Sequence, residues 1–348
     1  LHLQEWGNAG PGFGVGFQWS PPQPVERSAR KRQAEARLQE VRQEIFEREW
    51  QLATEVRAAC ALLRELQEQG RLLEGAVTRR QRIIELVHKR IQLGASTRLD
   101  LNLVSLALTQ VERERDDVEA QRVVAVRALQ ALVGAPDATV ALQASPADQD
   151  APATPPDGRA LEDQALAARP ALRAAKARYL QREQAVRREY AQRLPWFQLS
   201  AAPRYRFNPS SNKYDHDLYL GVEVTLPIFN WNTGGIRVAE AERREEREKM
   251  VALLSHLRRD IGMAQARLEV HRAALVRFRE RVLPALAEHE RLLEVTMRGG
   301  QVDLVTLLTA EDVVLRHRRA YAALLLQHRT AWLALERAVG ARVFAPGR

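Results

Sequence analysis

Histidine side chains could bind metals or move protons, but their spacing in this sequence supports neither role. The eight histidines are scattered without the intervals of metal ligands: His2, His88, His216, His256, His271, His289, His317 and His328. The sequence also lacks a phosphate-binding loop, a GxSxG nucleophile elbow and a dinucleotide fingerprint. We therefore predict that the protein is not an enzyme and has no metal site and no cofactor.

Composition favours long solvated helices over a thick globular core. Of the 348 residues, 28% are charged and 6% are aromatic. The net charge of +9 would suit nucleic acid, but acidic and basic residues alternate in runs such as 242–249. Because such alternation is typical of a wet helix face, we predict no nucleic-acid partner.

Glycine positions indicate that the chain is a duplication. Gly94 and Gly134 are 40 residues apart, as are Gly300 and Gly340, and the two pairs are 206 residues apart. Closer to the start of each copy, the Ala-Glu-Ala segment at Ala34 recurs 205 residues later. The copies therefore differ by a one-residue slip, and the repeating unit determines the fold.

Each copy is predicted to contain a long helical hairpin. Residues 27–92 and 235–298 are rich in helix-forming residues, and only Pro284 interrupts them. About 60 residues at a rise of 1.5 Å make a rod of about 90 Å, which suits a coiled coil or a tunnel. A short glycine-bearing break and a second helix follow each rod. The predicted domains are a first repeat over 1–134, a proline-rich linker over 135–158 and a second repeat over 159–348.

Three segments alternate strictly between apolar and polar residues: 13–20, 197–207 and 218–226. Their length and pattern match transmembrane β-strands, with a soluble sheet that has one solvated face as the alternative. Pro203 lies inside the second segment and predicts a bulge. The strands are too few to close a barrel in one chain, so a membrane barrel would require oligomerisation.

Aromatic residues flank these strands and would lie at one end of a hairpin. Such a position is typical of a membrane-interface belt, and we assign to it Trp19, Trp196, Phe229 and Trp231.

In this order and in duplicate, these features resemble the TolC-type outer-membrane efflux family. The resemblance rests on residues 169–172 (RPAL) before a helix, Leu194-Pro195 before a strand, residues 221–229 (GVEVTLPIF) at the end of a hairpin, and the two glycine breaks. It implies a mainly α fold with a small β part. Duplicated long helical hairpins would form a periplasmic tunnel, and the strands would join a trimeric transmembrane β-barrel.

The resemblance implies the outer-membrane channel-tunnel of a tripartite efflux or type I secretion system. Such a protein is a passive exit duct for drugs, metals or other exported solutes, in the outer membrane of a Gram-negative bacterium with its helical part in the periplasm. The implied partners are two further copies in a homotrimer, a periplasmic adaptor protein, an inner-membrane pump and outer-membrane lipid. The alternatives are a non-membrane coiled-coil structural protein and a degenerate, non-conducting paralogue.

The resemblance also assigns residues to sites. The expected adaptor-docking tips are Leu93, Gly94, Ala95, Arg298, Gly299 and Gly300, and the candidates for a tunnel constriction are Asp303, Thr306, Thr309 and Asp100. Some family members carry acidic residues where this chain has Thr306 and Thr309, so an acidic ring would have to come from Asp303. The alternative is that Asp303 is a helix-surface aspartate with no gating role. Asp100 is expected to tie neighbouring helices together.

The first copy departs from the family pattern at its start. A helix and a full strand are expected before Phe13, and we interpret Leu1–Trp6 as the end of that strand. The sequence is therefore expected to be truncated at its N-terminus, either in the gene product or as a fragment.

Overall fold

The computed structural model describes residues 12–14, 16–21, 23–139, 154–208, 213–226, 228–229, 231–299 and 303–343. Helices predominate and four strands form one sheet, which confirms the predicted mainly α fold with a small β part. The interpreted strand end at residues 1–6 lies outside the described residues. The elements are β1 (Gly12–Gly14), β2 (Phe17–Trp19), α1 (Pro24–Gln92), α2 (Arg98–Val133), α3 (Gly158–Ala168), α4 (Pro170–Ala191), β3 (Trp196–Asn208), β4 (Lys213–Thr225), α5 (Thr233–Arg277), a π turn (Phe278–Val282), α6 (Leu283–Gly299) and α7 (Leu304–Val339).

The second helix of each hairpin shows the duplication most clearly. Helices α2 and α7 both contain 36 residues, and they begin at Arg98 and Leu304, which are 206 residues apart. Each ends at a glycine in the left-handed conformation, with φ of 72° at Gly134 and 77° at Gly340. A left-handed residue ends a helix at little cost only when it is glycine, so the two copies use the same stop signal.

The one-residue slip between the copies coincides with the π turn. The slip arises between the Ala-Glu-Ala segment at Ala239 and the start of α7, and the π turn lies in that interval. Within it, the N–H of Leu283 donates to the carbonyl of Phe278, five residues back instead of four. Because such a turn holds one more residue than an α turn, it accounts for the slip. Pro284, which has no N–H to donate, follows at once.

The chain divides into two compact units, each built from both copies. The first comprises residues 1–45 and 171–254, and the second comprises residues 46–170 and 255–348. The predicted domains follow the repeats, whereas these units follow packing. Helix α2 ends at Val133 and α3 begins at Gly158, but residues 140–153 of the predicted linker lie outside the described residues.

The sheet of the first unit has β3 at its centre. All 13 residues of β3 pair antiparallel with β4, from Trp196 opposite Thr225 to Asn208 opposite Lys213. On its other side β3 pairs with β1 and β2, which share one register. The bulge predicted at Pro203 is wrong, because Pro203 lies opposite Leu218 in an unbroken ladder.

Polar contacts join the helices of the first unit. The side chain of Glu40 is buried, and Arg178 Nε donates to it at 2.9 Å. Arg178 also bonds Glu44 at 2.9 Å. Burial alone would raise the pKa of Glu40, but hydrogen bonds from Arg37 and Arg178 outweigh it and hold the pKa below its usual range.

The second unit has an apolar core with coiled-coil spacing. Helix α2 buries Val104, Val111, Val118 and Ala125 at intervals of seven residues. The last three of these pack in one cluster with residues of α1 such as Leu66. A seven-residue apolar repeat is the pattern of helices that wrap around each other, so the predicted hairpin packing of the first copy is present in this unit.

Candidate functional site

One face of the sheet is apolar and exposed. The side chains alternate along β4, and its apolar set has exposed fractions of 66% at Leu218, 71% at Leu220, 70% at Val222 and 56% at Val224. The partners of this set on β3 include Leu199 opposite Val222. On β2, Phe17 and Trp19 continue the same face. Contiguous apolar area of this kind marks a surface that contacts lipid or protein.

The other face of the sheet is polar. Gln198 lies opposite Glu223, and Ser200 lies opposite Gly221 on one side and Gln18 on the other. Ser20 Oγ donates to Gln198 Oε1 at 3.2 Å, so hydrogen bonds extend across strands on this face. The sheet therefore separates an apolar side from a polar side, as the alternation in the sequence predicted.

The structure brings the predicted interface aromatics to one end of the sheet. Trp196 begins β3, and Trp19 ends β2 opposite Leu199. Phe229 and Trp231 follow the end of β4 and are exposed. Arg193 Nε donates to the carbonyl of Trp231 at 2.8 Å, which ties the chain after β4 to the chain before β3.

The first predicted tip is a tight turn between α1 and α2. Gly94 has φ of 72°, its N–H donates to the carbonyl of Ile91, and the N–H of Ala95 donates to the carbonyl of Arg90. These two bonds form a Schellman motif, which uses the left-handed glycine to satisfy the last carbonyls of the helix. Leu93 is 82% exposed, so the turn presents an apolar side chain to its surroundings.

Asp100 and Asp303, two of the four constriction candidates, both cap their own helices. Thr97 and Asp100 form a capping box, in which the N–H of Thr97 donates to Asp100 Oδ2 at 2.8 Å. Asp303 is the N-cap of α7 and accepts from the N–H of Thr306 at 3.2 Å. The hydroxyl of Thr309 donates to the carbonyl of Val305 within the same helix. Asp100 thus bonds the terminus of its own helix, and its expected role between helices stays a prediction.

The second predicted tip is only partly described. Arg298 and Gly299 are the last two residues of α6, and Gly300 lies outside the described residues.

A buried acidic residue that the sequence did not indicate lies between α1 and α7. Glu311 is 6% exposed, and its nearest cation is Arg79, with Nε at 3.5 Å from Oε1. Burial raises the pKa of Glu311, and the charges of Arg79 and Arg80 only partly offset that rise. Arg80 is itself buried and pairs with Asp312. In the sequence, these four charged residues lie on amphipathic helices and would be interpreted as surface residues. Only the packing of the helices shows that they form a group.

Among the described residues, no group of histidine, cysteine and acidic side chains is arranged to hold a metal ion. In the same part of the chain, none of the helices is both long and apolar enough to cross a membrane.

The chain matches a known family along most of its length. The model of the outer membrane efflux protein family matches residues 12–135 and 161–341. A cobalt-zinc-cadmium resistance protein, CzcC of Cupriavidus metallidurans, is 23% identical over 274 residues, which cover 79% of this chain and 64% of that protein. The chain thus spans less than two thirds of the length of that relative.

Solved structures share the fold. The outer-membrane channel OprN is 18% identical with a TM-score of 0.75, over 94% of this chain and 75% of that one. The outer membrane protein VceC from Vibrio cholerae is 22% identical with a TM-score of 0.71, over 95% of this chain and 79% of that one. At these identities the likeness shows the fold, and it agrees with the predicted channel-tunnel architecture.

Proposed function

Because the chain belongs to the outer membrane efflux protein family, we propose that it is the outer-membrane exit duct of a tripartite efflux or type I secretion system. The family also agrees with the predicted location in the outer membrane of a Gram-negative bacterium. A duct of this kind is passive and needs no catalytic group, since its partners supply the energy. Both the family and the fold favour the duct over a coiled-coil protein that never enters a membrane.

The exposed apolar face of the sheet is the observation that carries this proposal. It runs along β4 through Leu218, Leu220, Val222 and Val224, with a polar face behind it. A sheet placed between lipid and a water-filled lumen requires this division. Among the described strands, β4 pairs with β3 alone. Because hydrocarbon cannot satisfy an open strand edge, further copies would have to complete the barrel, and a homotrimer is the proposed assembly.

The proposed contact with the periplasmic adaptor is at the tips. The turn at Leu93, Gly94 and Ala95 presents the exposed side chain of Leu93 at the junction of α1 and α2. Residues 298–300 are the proposed counterpart in the second copy. The constriction is assigned to Asp303, with Thr306 held by its cap, and three copies would bring three such carboxylates to the tunnel mouth.

The cargo class is proposed from the relative. CzcC is named for cobalt, zinc and cadmium resistance, and divalent metal ions are therefore the first cargo to test, ahead of drugs and secreted polypeptides. Deleting the gene should make cells sensitive to these metals, and the wild-type gene should restore growth. Unchanged metal tolerance, with lost tolerance to organic drugs, would reassign the cargo and keep the duct.

Conductance in planar lipid bilayers tests the duct itself. The purified protein should insert and produce stepwise currents, and Glu223→Gln on the polar face should also insert. Leu220→Arg on the apolar face should insert less efficiently than wild type, because a charge in the hydrocarbon destabilises the inserted protein. A wild-type protein that stays in the aqueous phase with lipid vesicles present would refute the proposal.

A further inference from the structure

Basic side chains gather beside the π turn in the second unit. We define the basic cluster as His271 and Arg272 on α5, Arg279 in the π turn, and His328 and Arg329 on α7. Burial lowers the pKa of His328, and the charges of the other four members lower it further. The charged groups with the largest influence on His328 are thus all basic.

The π turn fixes one member of the basic cluster against α7. Phe278 stacks on Tyr321 with ring centroids 5.6 Å apart, and Arg279 Nε donates to the hydroxyl of the same tyrosine at 3.0 Å. Adjacent residues of an α-helix point about 100° apart, and a wider turn reduces that angle. The wider turn therefore helps two adjacent residues to contact one tyrosine, and it holds the guanidinium of Arg279 in place.

Two buried nitrogen atoms of the basic cluster lack hydrogen-bond partners. They are Arg272 Nε on α5 and His328 Nε2 on α7. The Nε of arginine always carries a proton, so it is a donor without an acceptor. Leaving a buried donor of a charged group unsatisfied is costly. The unsatisfied donor of Arg272, among five basic side chains, points to a negatively charged acceptor between these helices.

We propose that the basic cluster binds an oxyanion, a carboxylate or phosphate group, between α5 and α7. Arginine recognises this chemistry because its planar fork matches two oxygen atoms of the same group. Two sources can supply it, a small anion from solution or an acidic side chain of a second copy of this chain. The site does not depend on the chain being a conduit, since it rests on contacts within one unit.

Thermal unfolding of the purified full chain in detergent tests the free-anion source. Phosphate at about ten times the Kd of a site with millimolar affinity should raise the Tm by about 2–4 °C relative to chloride at equal ionic strength. The shift should disappear in Arg272→Gln. It should persist in the matched control Arg259→Gln, which removes an exposed arginine of the same helix that pairs with Asp260.

Native mass spectrometry of the assembled protein tests the second source. If a neighbouring copy supplies the carboxylate, Arg272→Gln should dissociate into single chains at least tenfold more than wild type and Arg259→Gln do. Arg272→Lys, which keeps the charge, should dissociate less than Arg272→Gln. Either positive result supports the site and names its source. If Arg272→Gln matches Arg259→Gln in both measurements, the basic cluster binds no oxyanion and the inference is wrong.

Discussion

Arginine placed at graded depths on the apolar face of β4 provides a quantitative test of membrane insertion. Trp196 pairs with Thr225 and marks the aromatic end of the sheet. From that level, Val224 is one residue into the strand, Val222 is three and Leu220 is five. All three side chains are more than half exposed, so arginine at these positions displaces no core packing. Differences among the three variants should therefore report their surroundings.

The register and the strand tilt give the expected size of the effect. At about 3.4 Å per residue and a tilt of about 40°, each residue adds about 2.6 Å of depth. Leu220 then lies about 13 Å from the aromatic end, close to the middle of an apolar band about 25 Å tall. Arginine should destabilise the inserted protein by about 2–4 kcal/mol per chain at Leu220 and by about 0–1 kcal/mol at Val224. Val222 should fall between them.

Denaturant unfolding in lipid vesicles, followed by tryptophan fluorescence, measures these free energies. Glu223→Gln is the control, because it changes the polar face next to Val222 and leaves the hydrocarbon contact unaltered. In detergent, the three arginine variants should differ by less than in lipid. An equal effect at all three depths, or a Leu220→Arg protein as stable in lipid as Glu223→Gln, would refute the membrane assignment of this face.

The remaining predictions concern stability and use matched pairs of variants. Burial raises the pKa of Glu311, so the ionised form of Glu311 destabilises the fold at neutral pH. Glu311→Gln should therefore stabilise the protein by about 0.5–2 kcal/mol at neutral pH. At a pH below the usual carboxyl range the substitution should give no stabilisation. The pKa of Glu40 is lowered, so Glu40→Gln should destabilise the fold at neutral pH and lose that effect as pH falls through the lowered pKa. Urea unfolding at two pH values measures the change in unfolding free energy for both variants. If both substitutions stabilise, or both destabilise, at neutral pH, one of the two predictions is wrong. Gly94→Ala should destabilise the fold by about 1–2 kcal/mol through the positive φ of Gly94 alone. Gly340→Ala should cost about 1–3 kcal/mol more, because the new Cβ would lie 3.1 Å from the Cα of Arg169. Equal melting temperatures of the two variants would argue against that contact.

Periodicity predicted most of the fold because it records which face of each element is buried. The interval between Gly94 and Gly134 predicted the hairpin of the first copy, and both glycines adopt the left-handed turn that glycine favours. The alternation over 218–226 predicted β4 with its two chemically distinct faces. The trimer and the partners were predicted from the family resemblance alone, because the residue patterns discussed above do not specify them.

Tertiary contacts limited the prediction of sites. Asp100 was expected to tie neighbouring helices together; its capping box with Thr97, three residues before it, is a further role that the spacing in the sequence already indicated. The bulge at Pro203 was expected because proline cannot donate to a ladder, yet the ladder with β4 is unbroken at that residue. The burial of Glu311 depends on the approach of α1 to α7, which sequence periodicity does not encode.

The slip between the two copies has a structural consequence that the duplication alone does not suggest. In the first copy, Leu66 and Val111 are buried in the apolar core of the second unit. At the offsets of 205 and 206, their counterparts in the second copy are His271 and His317. The π turn separates those two offsets, and the ring of its Phe278 lies 6.3 Å from that of His317. At these two positions the first copy buries apolar side chains, whereas the second copy has histidines on either side of the π turn. The two copies thus differ in side-chain chemistry next to the inserted residue, which is also where the basic cluster lies.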